Sequence, residues 1–140
     1  MGQVFYLSLG TTQCVTVCPD GQIQGSSNLC VACAAQCTTC SVITTNCTKC
    51  STISGVTIVF LQNNNCVQTC TTSTYPQVST SGNLCGSCDP TCSSCFGPFS
   101  TNCTACTTYL AVVYYKDPVN PICSSTCPTG YFGVTTSNTC

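Results

Sequence analysis

The chain has 140 residues, of which 19 are cysteine and only five carry charge: Lys49, Lys116, Asp20, Asp89 and Asp117. With no His, Arg, Glu or Trp, it lacks the basic surface that neutralises phosphates and the paired acid and base groups of proton-transfer chemistry, so nucleic-acid binding and catalysis within this chain are excluded. The 43% apolar fraction is about 60 residues; without the 19 cysteines, 41 of 140 remain, roughly 29%, which is thin for one conventional core.

Apolar stretches of four to six residues recur along the chain: Val4-Phe-Tyr-Leu7, Ile58-Val-Phe-Leu61 and Leu110-Ala-Val-Val-Tyr-Tyr115. Each precedes a C-x3-C pair. β-Branched and aromatic residues between turn formers predict short strands, the longest being the run Tyr109 to Tyr115. A second short strand is expected after each C-x3-C, around Gln22-Ile23, Tyr75 to Val78 and Tyr131 to Val134. No segment has helical periodicity with caps, and Gly, Asn, Ser and Pro punctuate the whole length. No run approaches the roughly 18 apolar residues of a membrane span. Met1 to Gly10 lacks the basic and apolar regions of a signal peptide, and Tyr6 stands where a myristoylation signal needs Ser or Thr. The expectation is a piece of a longer secreted polypeptide with Met1 not the initiator.

The cysteines form a repeat. They read C-x3-C, a gap, C-x2-C-x3-C-x2-C, six or seven residues, then C-x2-C. Cys30, Cys85 and Cys140 are 55 residues apart, and Cys14, Cys66 and Cys123 are 52 and 57 apart. Asn28-Leu-Cys30 recurs as Asn83-Leu-Cys85 and Asn138-Thr-Cys140, and Thr45-Asn-Cys-Thr48 recurs as Thr101-Asn-Cys-Thr104. Fixed-period self-similarity marks a tandem array. The expected divisions are residues 1–50, 51–106 and a partial third copy at 107–140. The array starts inside one repeat and stops partway through another, which again reads as a fragment.

Nineteen cysteines either bind metal or form disulfides. The six C-x2-C pairs are too tightly spaced for a zinc ribbon, and no His assists. A redox-active C-x2-C would need a helix N-terminus that lowers its thiol pKa. Structural disulfides are the expected state, with no metal and no cofactor. Disulfides require an oxidising space, so an extracellular or cell-surface location is expected.

The framework Cys14-Val-Thr-Val-Cys18-Pro19-Asp20-Gly21, Cys30-Val-Ala-Cys33-Ala-Ala-Gln-Cys37-Thr-Thr-Cys40 and Cys47-Thr-Lys-Cys50 resembles the furin-like cysteine-rich repeat, also found in the insulin and epidermal growth factor receptors. Cys127-Pro-Thr-Gly-Tyr-Phe132 matches that family's C-P-x-G-Y/F. The first copy departs from it with Gln22 after the glycine, and the second departs further with Thr71 in place of Pro. The Thr/Ser/Asn-rich, charge-poor filling is similar to surface proteins of ciliates and other protists, such as immobilisation antigens. Spacing alone leaves the pairing open among very many alternatives. The resemblance implies Cys18–Cys30, Cys33–Cys40, Cys37–Cys47, Cys50–Cys66, Cys70–Cys85, Cys88–Cys95, Cys92–Cys103, Cys106–Cys123 and Cys127–Cys140. It leaves Cys14 unpaired in this chain. By analogy with Cys50–Cys66 and Cys106–Cys123, a partner is expected 16 or 17 residues upstream, before Met1. A free, exposed thiol is the competing reading.

These pairs are local, so the resemblance implies a small disulfide-rich fold, mostly irregular with short β-hairpins and almost no helix. The expected shape is an elongated tandem-repeat rod, because each repeat would contact only its neighbours. Asn46-Cys47-Thr48 and Asn102-Cys103-Thr104 are N-glycosylation sequons at equivalent repeat positions; a turn asparagine is the alternative reading, and the cysteine in the middle lowers their use. Within the apolar run, Val112 and Tyr114 are expected to form an assembly contact, packing inside the repeat being the alternative. The expected function is a structural segment of a cell-surface coat or fibre, not an enzyme, with self-association, other extracellular proteins and covalent glycans as partners. The alternative is the cysteine-rich stalk of a receptor-like ectodomain that binds a protein ligand, for which Tyr109, Tyr114, Tyr115, Lys116 and Asp117 are the only distinctive patch.

Overall fold

The computed structural model describes residues 2–52 and 58–140. Among these, regular structure is confined to strands of two to four residues and two single 3-10 turns, Ser26–Asn28 and Ser100–Asn102. None of the described residues lies in an α-helix. Among the described residues no helix is long and apolar enough to cross a membrane.

The chain divides into two compact units. The first comprises Met1–Thr69 with Val78–Leu84, and the second Cys70–Gln77 with Cys85–Cys140. In the first, β1 (Tyr6–Leu7) pairs antiparallel with β2 (Cys14–Val15), β3 (Gln22–Gln24) with β4 (Cys30–Ala32), β5 (Cys37–Cys40) with β6 (Cys47–Cys50), and β7 (Phe60–Gln62) with β8 (Asn65–Val67). Further along, β9 spans Thr74–Gln77 and β10 Leu84–Ser87. Leu84 lies parallel to Leu61. In the second unit, β11 (Cys92–Cys95) pairs with β12 (Cys103–Cys106), β13 (Thr108–Tyr109) with β14 (Val112–Val113), and β15 (Tyr115–Lys116) with β16 (Cys123–Ser124).

Isolated two-stranded ribbons of this length are not stable in water by themselves. Nine disulfides hold them: Cys18–Cys30, Cys33–Cys40, Cys37–Cys47 and Cys50–Cys66 in the first unit, and Cys70–Cys85, Cys88–Cys95, Cys92–Cys103, Cys106–Cys123 and Cys127–Cys140 in the second. Their sequence separations run from 7 to 17. Each closed loop of this size restricts the unfolded chain by about 2–4 kcal/mol. The interior is correspondingly sulfur-rich. Among the described residues the buried apolar side chains are Cys30, Cys37, Cys47, Cys92, Cys103 and Cys106, joined only by Val59, Phe60 and Tyr75. Large aliphatic and aromatic side chains such as Val42, Leu110, Val119 and Phe132 face solvent instead.

Three expected strands are corrected. Tyr109 to Tyr115 is not one strand: Leu110 and Ala111 both adopt left-handed φ, 49° and 64°, and turn the run back on itself between β13 and β14. Paired left-handed residues make the tight turn whose twist suits a hairpin. Val4-Phe-Tyr-Leu7 contributes only Tyr6–Leu7 to a strand. Tyr131 to Val134 forms none. Val134 instead makes one isolated bridge to Thr139, because the turn between them leaves no longer segment to pair with.

Candidate functional site

The repeated chemistry of this chain is concentrated in one device found in both units, the hairpin between C-x2-C pairs. In β5–β6, Cys37 faces Cys50, Thr39 faces Lys49 and Cys40 faces Cys47. In β11–β12, Cys92 faces Cys106, Ser94 faces Ala105 and Cys95 faces Cys103. One residue is extra first on one strand and then on the other, so two opposed bulges cancel and the register is restored. The bulges place a hydroxyl pair on the outer face. Thr39 and Thr48 approach to 2.7 Å, and Ser94 and Thr104 to 2.7 Å. Cys47 and Cys103 have 0% exposure and lie at the centre of each device.

The neighbouring segments attach to the hairpin through the same backbone bonds in both copies. The turn after C-x3-C donates across its ends, Gln22 N–H to Pro19 carbonyl (3.1 Å) and Thr74 N–H to Thr71 carbonyl (3.1 Å). Its third residue is left-handed, Gly21 at φ 82° and Ser73 at φ 66°. Cys33 N–H then donates to Gly21 carbonyl and Cys88 N–H to Ser73 carbonyl. Glycine adopts this φ without strain, and serine does not. Ser73 compensates by donating its hydroxyl to Ser93 carbonyl at 3.2 Å. The next hairpin is reached from the buried centre, where Cys47 N–H donates to Asn64 carbonyl and Cys103 N–H to Pro121 carbonyl, each at 2.8 Å.

Those receiving hairpins share a further feature. The buried polar residues Ser8, Gln62 and Asp117 occupy the same repeat position, one residue beyond the pairs Leu7↔Cys14, Leu61↔Cys66 and Lys116↔Cys123. In the third copy the position is an acid. Asp117 Oδ1 accepts from Val119 N–H (2.9 Å), Asn120 N–H (2.7 Å) and Asn120 Nδ2 (3.2 Å). Lys116 Nζ donates to Asp117 carbonyl (2.8 Å) and to Asn120 carbonyl. The Asn120 amide, then the Val119 amide, hold the Asp117 carboxyl below its ordinary pKa of 3.8, against a smaller upward push from burial. Sequence patterning missed this role for Asp117 and the shared position of Ser8 and Gln62. Only alignment of the copies on their second-strand cysteine reveals it.

Cys14 is exposed and free, although its repeat equivalents Cys66 and Cys123 are bonded to Cys50 and Cys106. Asn46 is half-buried and donates Nδ2 to Ser41 Oγ at 3.4 Å. Asn102 is also half-buried. Its Oδ1 accepts from Phe99 N–H at 3.3 Å, and the side chain fills the space over Gly97. Val112 is exposed and Tyr114 half-buried; exposed Tyr109 is the cross-strand partner of Val112, and exposed Leu110 lies in the turn between them. Sγ atoms of Cys92, Cys103 and Cys123 lie within 4.8 Å of one another. All three are consumed in the Cys92–Cys103 and Cys106–Cys123 bonds, so the cluster is two disulfides in contact.

No family model matches the chain. It is similar to cysteine repeat modular protein 2 of Tetrahymena thermophila, at 35% identity over 116 residues, covering 81% of this chain and 6% of that protein. It is similar at 35% identity over 100 residues to cysteine repeat modular protein 1 of the same organism, covering 71% of this chain and 4% of the relative. A third similarity, 33% identity over 102 residues, is to mouse proprotein convertase subtilisin/kexin type 5, covering 71% of this chain and 5% of the convertase. The chain therefore spans about one-twentieth of the length of these relatives.

Proposed function

We propose, from the premise that this chain is a furin-like cysteine-rich repeat segment of the ciliate type, that it serves as a non-catalytic structural segment of an extracellular coat or fibre. The observation that carries this reading is a sulfur core: nine bonds between near neighbours stand where hydrocarbon packing stands in ordinary domains. Such bonds persist only in an oxidising space, which supports an extracellular or cell-surface location. Cross-links every few residues leave little slack for a protease to open, and few charges are offered to a specific ligand. The convertase similarity covers only about a twentieth of that protein, so the activity in its name supports no catalytic role for this chain.

Lateral association would use the β13–β14 hairpin, where Tyr109, Leu110 and Val112 are exposed. Half-buried Tyr114 follows it in the chain. Charged replacements at Val112 and Tyr114 are expected to abolish self-association, measured by sedimentation; unchanged assembly removes this contact from the proposal. Electron microscopy of native material tests the whole reading. Filaments or a dense surface layer support it. Dispersed monomers that capture a protein ligand overturn it in favour of a receptor-like stalk.

A further inference from the structure

Both sequons lie inside the cross-linked hairpin, and the folded geometry engages every residue of each. In the first, Asn46 Nδ2 is given to Ser41 Oγ, Cys47 has no exposed surface, and Thr48 Oγ1 shares a hydrogen bond with Thr39 Oγ1. In the second, Asn102 Oδ1 is bound to Phe99 N–H, Cys103 has no exposed surface, and Thr104 Oγ1 is paired with Ser94 Oγ. A glycosyl transferase reading N-x-T needs the asparagine amide and the threonine hydroxyl together on an accessible segment. The middle cysteine cannot be lifted out while it is bonded to Cys37 or Cys92.

We propose that Asn46 and Asn102 accept an N-linked glycan only while Cys47 and Cys103 are still unpaired, so that closing Cys37–Cys47 and Cys92–Cys103 ends the modification. This rests on the extracellular reading, because both reactions belong to the secretory lumen. In the transfer, asparagine Nδ2 bonds to the anomeric carbon of a lipid diphosphate-linked oligosaccharide. The bond from that carbon to the diphosphate oxygen breaks, the lipid diphosphate leaves, and the Nδ2 proton passes to the transferase's base. Occupancy is then a race between transfer and oxidation, run separately at each hairpin.

The test uses substitutions that leave both sequons intact. The full chain is expressed with a secretory leader in eukaryotic cells, and occupancy at each asparagine is read by mass spectrometry after enzymatic deglycosylation. Cys37→Ser is expected to raise occupancy at Asn46 several-fold and leave Asn102 unchanged, and Cys92→Ser the reverse. Because either variant can misfold, the unaltered chain is also synthesised during a pulse of a membrane-permeant dithiol, which should raise occupancy at both sites together. Equal occupancy with and without the bonds, or no glycan under any condition, overturns the proposal. So does glycan transfer to the oxidised, folded chain by purified transferase. The added leader puts the chain in the oxidising lumen whatever its native location, so this experiment tests the race alone; failure of the extracellular reading would show separately, as a native chain isolated with reduced cysteines.

Discussion

The hairpins β5–β6 and β11–β12 have the same strand pairs, the same opposed bulges and the same two bonds, yet share only cysteines and the Thr-Asn-Cys-Thr stretch. Their connecting loops differ. The first joins Cys40 to Cys47 through Ser41 to Asn46, and places Val42 at φ 67° beneath a bond from Ile43 N–H to Ser41 carbonyl. The second is one residue longer and uses Gly97, Pro98 and the 3-10 turn Ser100–Asn102. Sulfur bonds and bulge hydroxyls therefore determine the ladder, and the loop adapts to whatever residues it is given. A β-branched residue at positive φ is uncommon because its side chain meets the backbone. The first hairpin tolerates it because covalent bonds on either side hold the strands regardless.

The largest expected effect comes from removing those bonds. Cys37→Ser with Cys47→Ser, and Cys92→Ser with Cys103→Ser, should each destabilise by about 2–5 kcal/mol. Hydrogen exchange should show protection lost across the hairpin that carries the change and retained in the other. Equal loss in both would mean that the two devices fold as one, and the comparison between them would lose its meaning.

A smaller effect separates the turns that enter the two hairpins. Gly21 and Ser73 hold the same left-handed position, and a Cβ at Gly21 would meet only Thr38 carbonyl oxygen at an ordinary 3.6 Å. Gly21→Ser therefore incurs backbone strain without a clash, about 1–2 kcal/mol. Ser73→Gly should gain less than that, since it loses the hydroxyl bond to Ser93 and adds freedom to the unfolded chain. Denaturant midpoints would check both. A stabilised Gly21→Ser would show that the turn conformation is wrong. Next comes Val42, 88% exposed and free of packing. Val42→Asn should stabilise by about 0.5–1 kcal/mol, because asparagine accepts left-handed φ more readily. The aligned Gly97 does not share that conformation, so Gly97→Asn offers no such gain. A Cβ there would lie 2.7 Å from Asn102 Oδ1.

Much of this was legible in the cysteines. Their period marks the copies, and β-branched runs beside them locate Tyr6–Leu7 and Phe60–Gln62. Strands β5, β6, β11 and β12 left no alternating signal, because C-T-T-C and C-S-S-C are bulged and put cysteines at an irregular spacing. The turn at Leu110-Ala111 was hidden for a different reason: neither residue is a usual left-handed former, so the sequence reads as an unbroken strand. Disulfide partners were never a property of spacing, since many pairings satisfy the same intervals; they came through family resemblance alone. The sequons are legible as strings, but only the fold shows that Cys47 and Cys103 sit at the buried centre of the hairpins.

The smallest effect concerns the loops that the two hairpins dock against. Asn64 belongs to a two-residue turn in which Asn63 and Asn64 both take left-handed φ and whose one side-chain bond, from Asn65 Nδ2 to Asn63 carbonyl at 3.0 Å, involves no charged group. Pro121 belongs to a longer loop that depends on Asp117, whose single oxygen Oδ1 gathers two backbone amides and one side-chain amide. Those donors favour the carboxylate and lower its pKa from 3.8 in the folded state. A lowered folded pKa means that the unfolded chain takes up the proton first. The contribution is thus complete above the ordinary carboxylate range and disappears as pH falls through the lower, folded value. Asp117→Asn removes that dependence while keeping an oxygen acceptor. Between pH 6 and pH 2, the protection of the Val119 and Asn120 amides, taken as exchange relative to the intrinsic rate at each pH, should fall in the parent chain and change little in the variant. The Asn64 turn, which has no carboxylate to protonate, should be insensitive in both. If the parent loop holds unchanged through acid, Asp117 is a bystander, and Lys116 Nζ on the two carbonyls must be what supports the second docking loop.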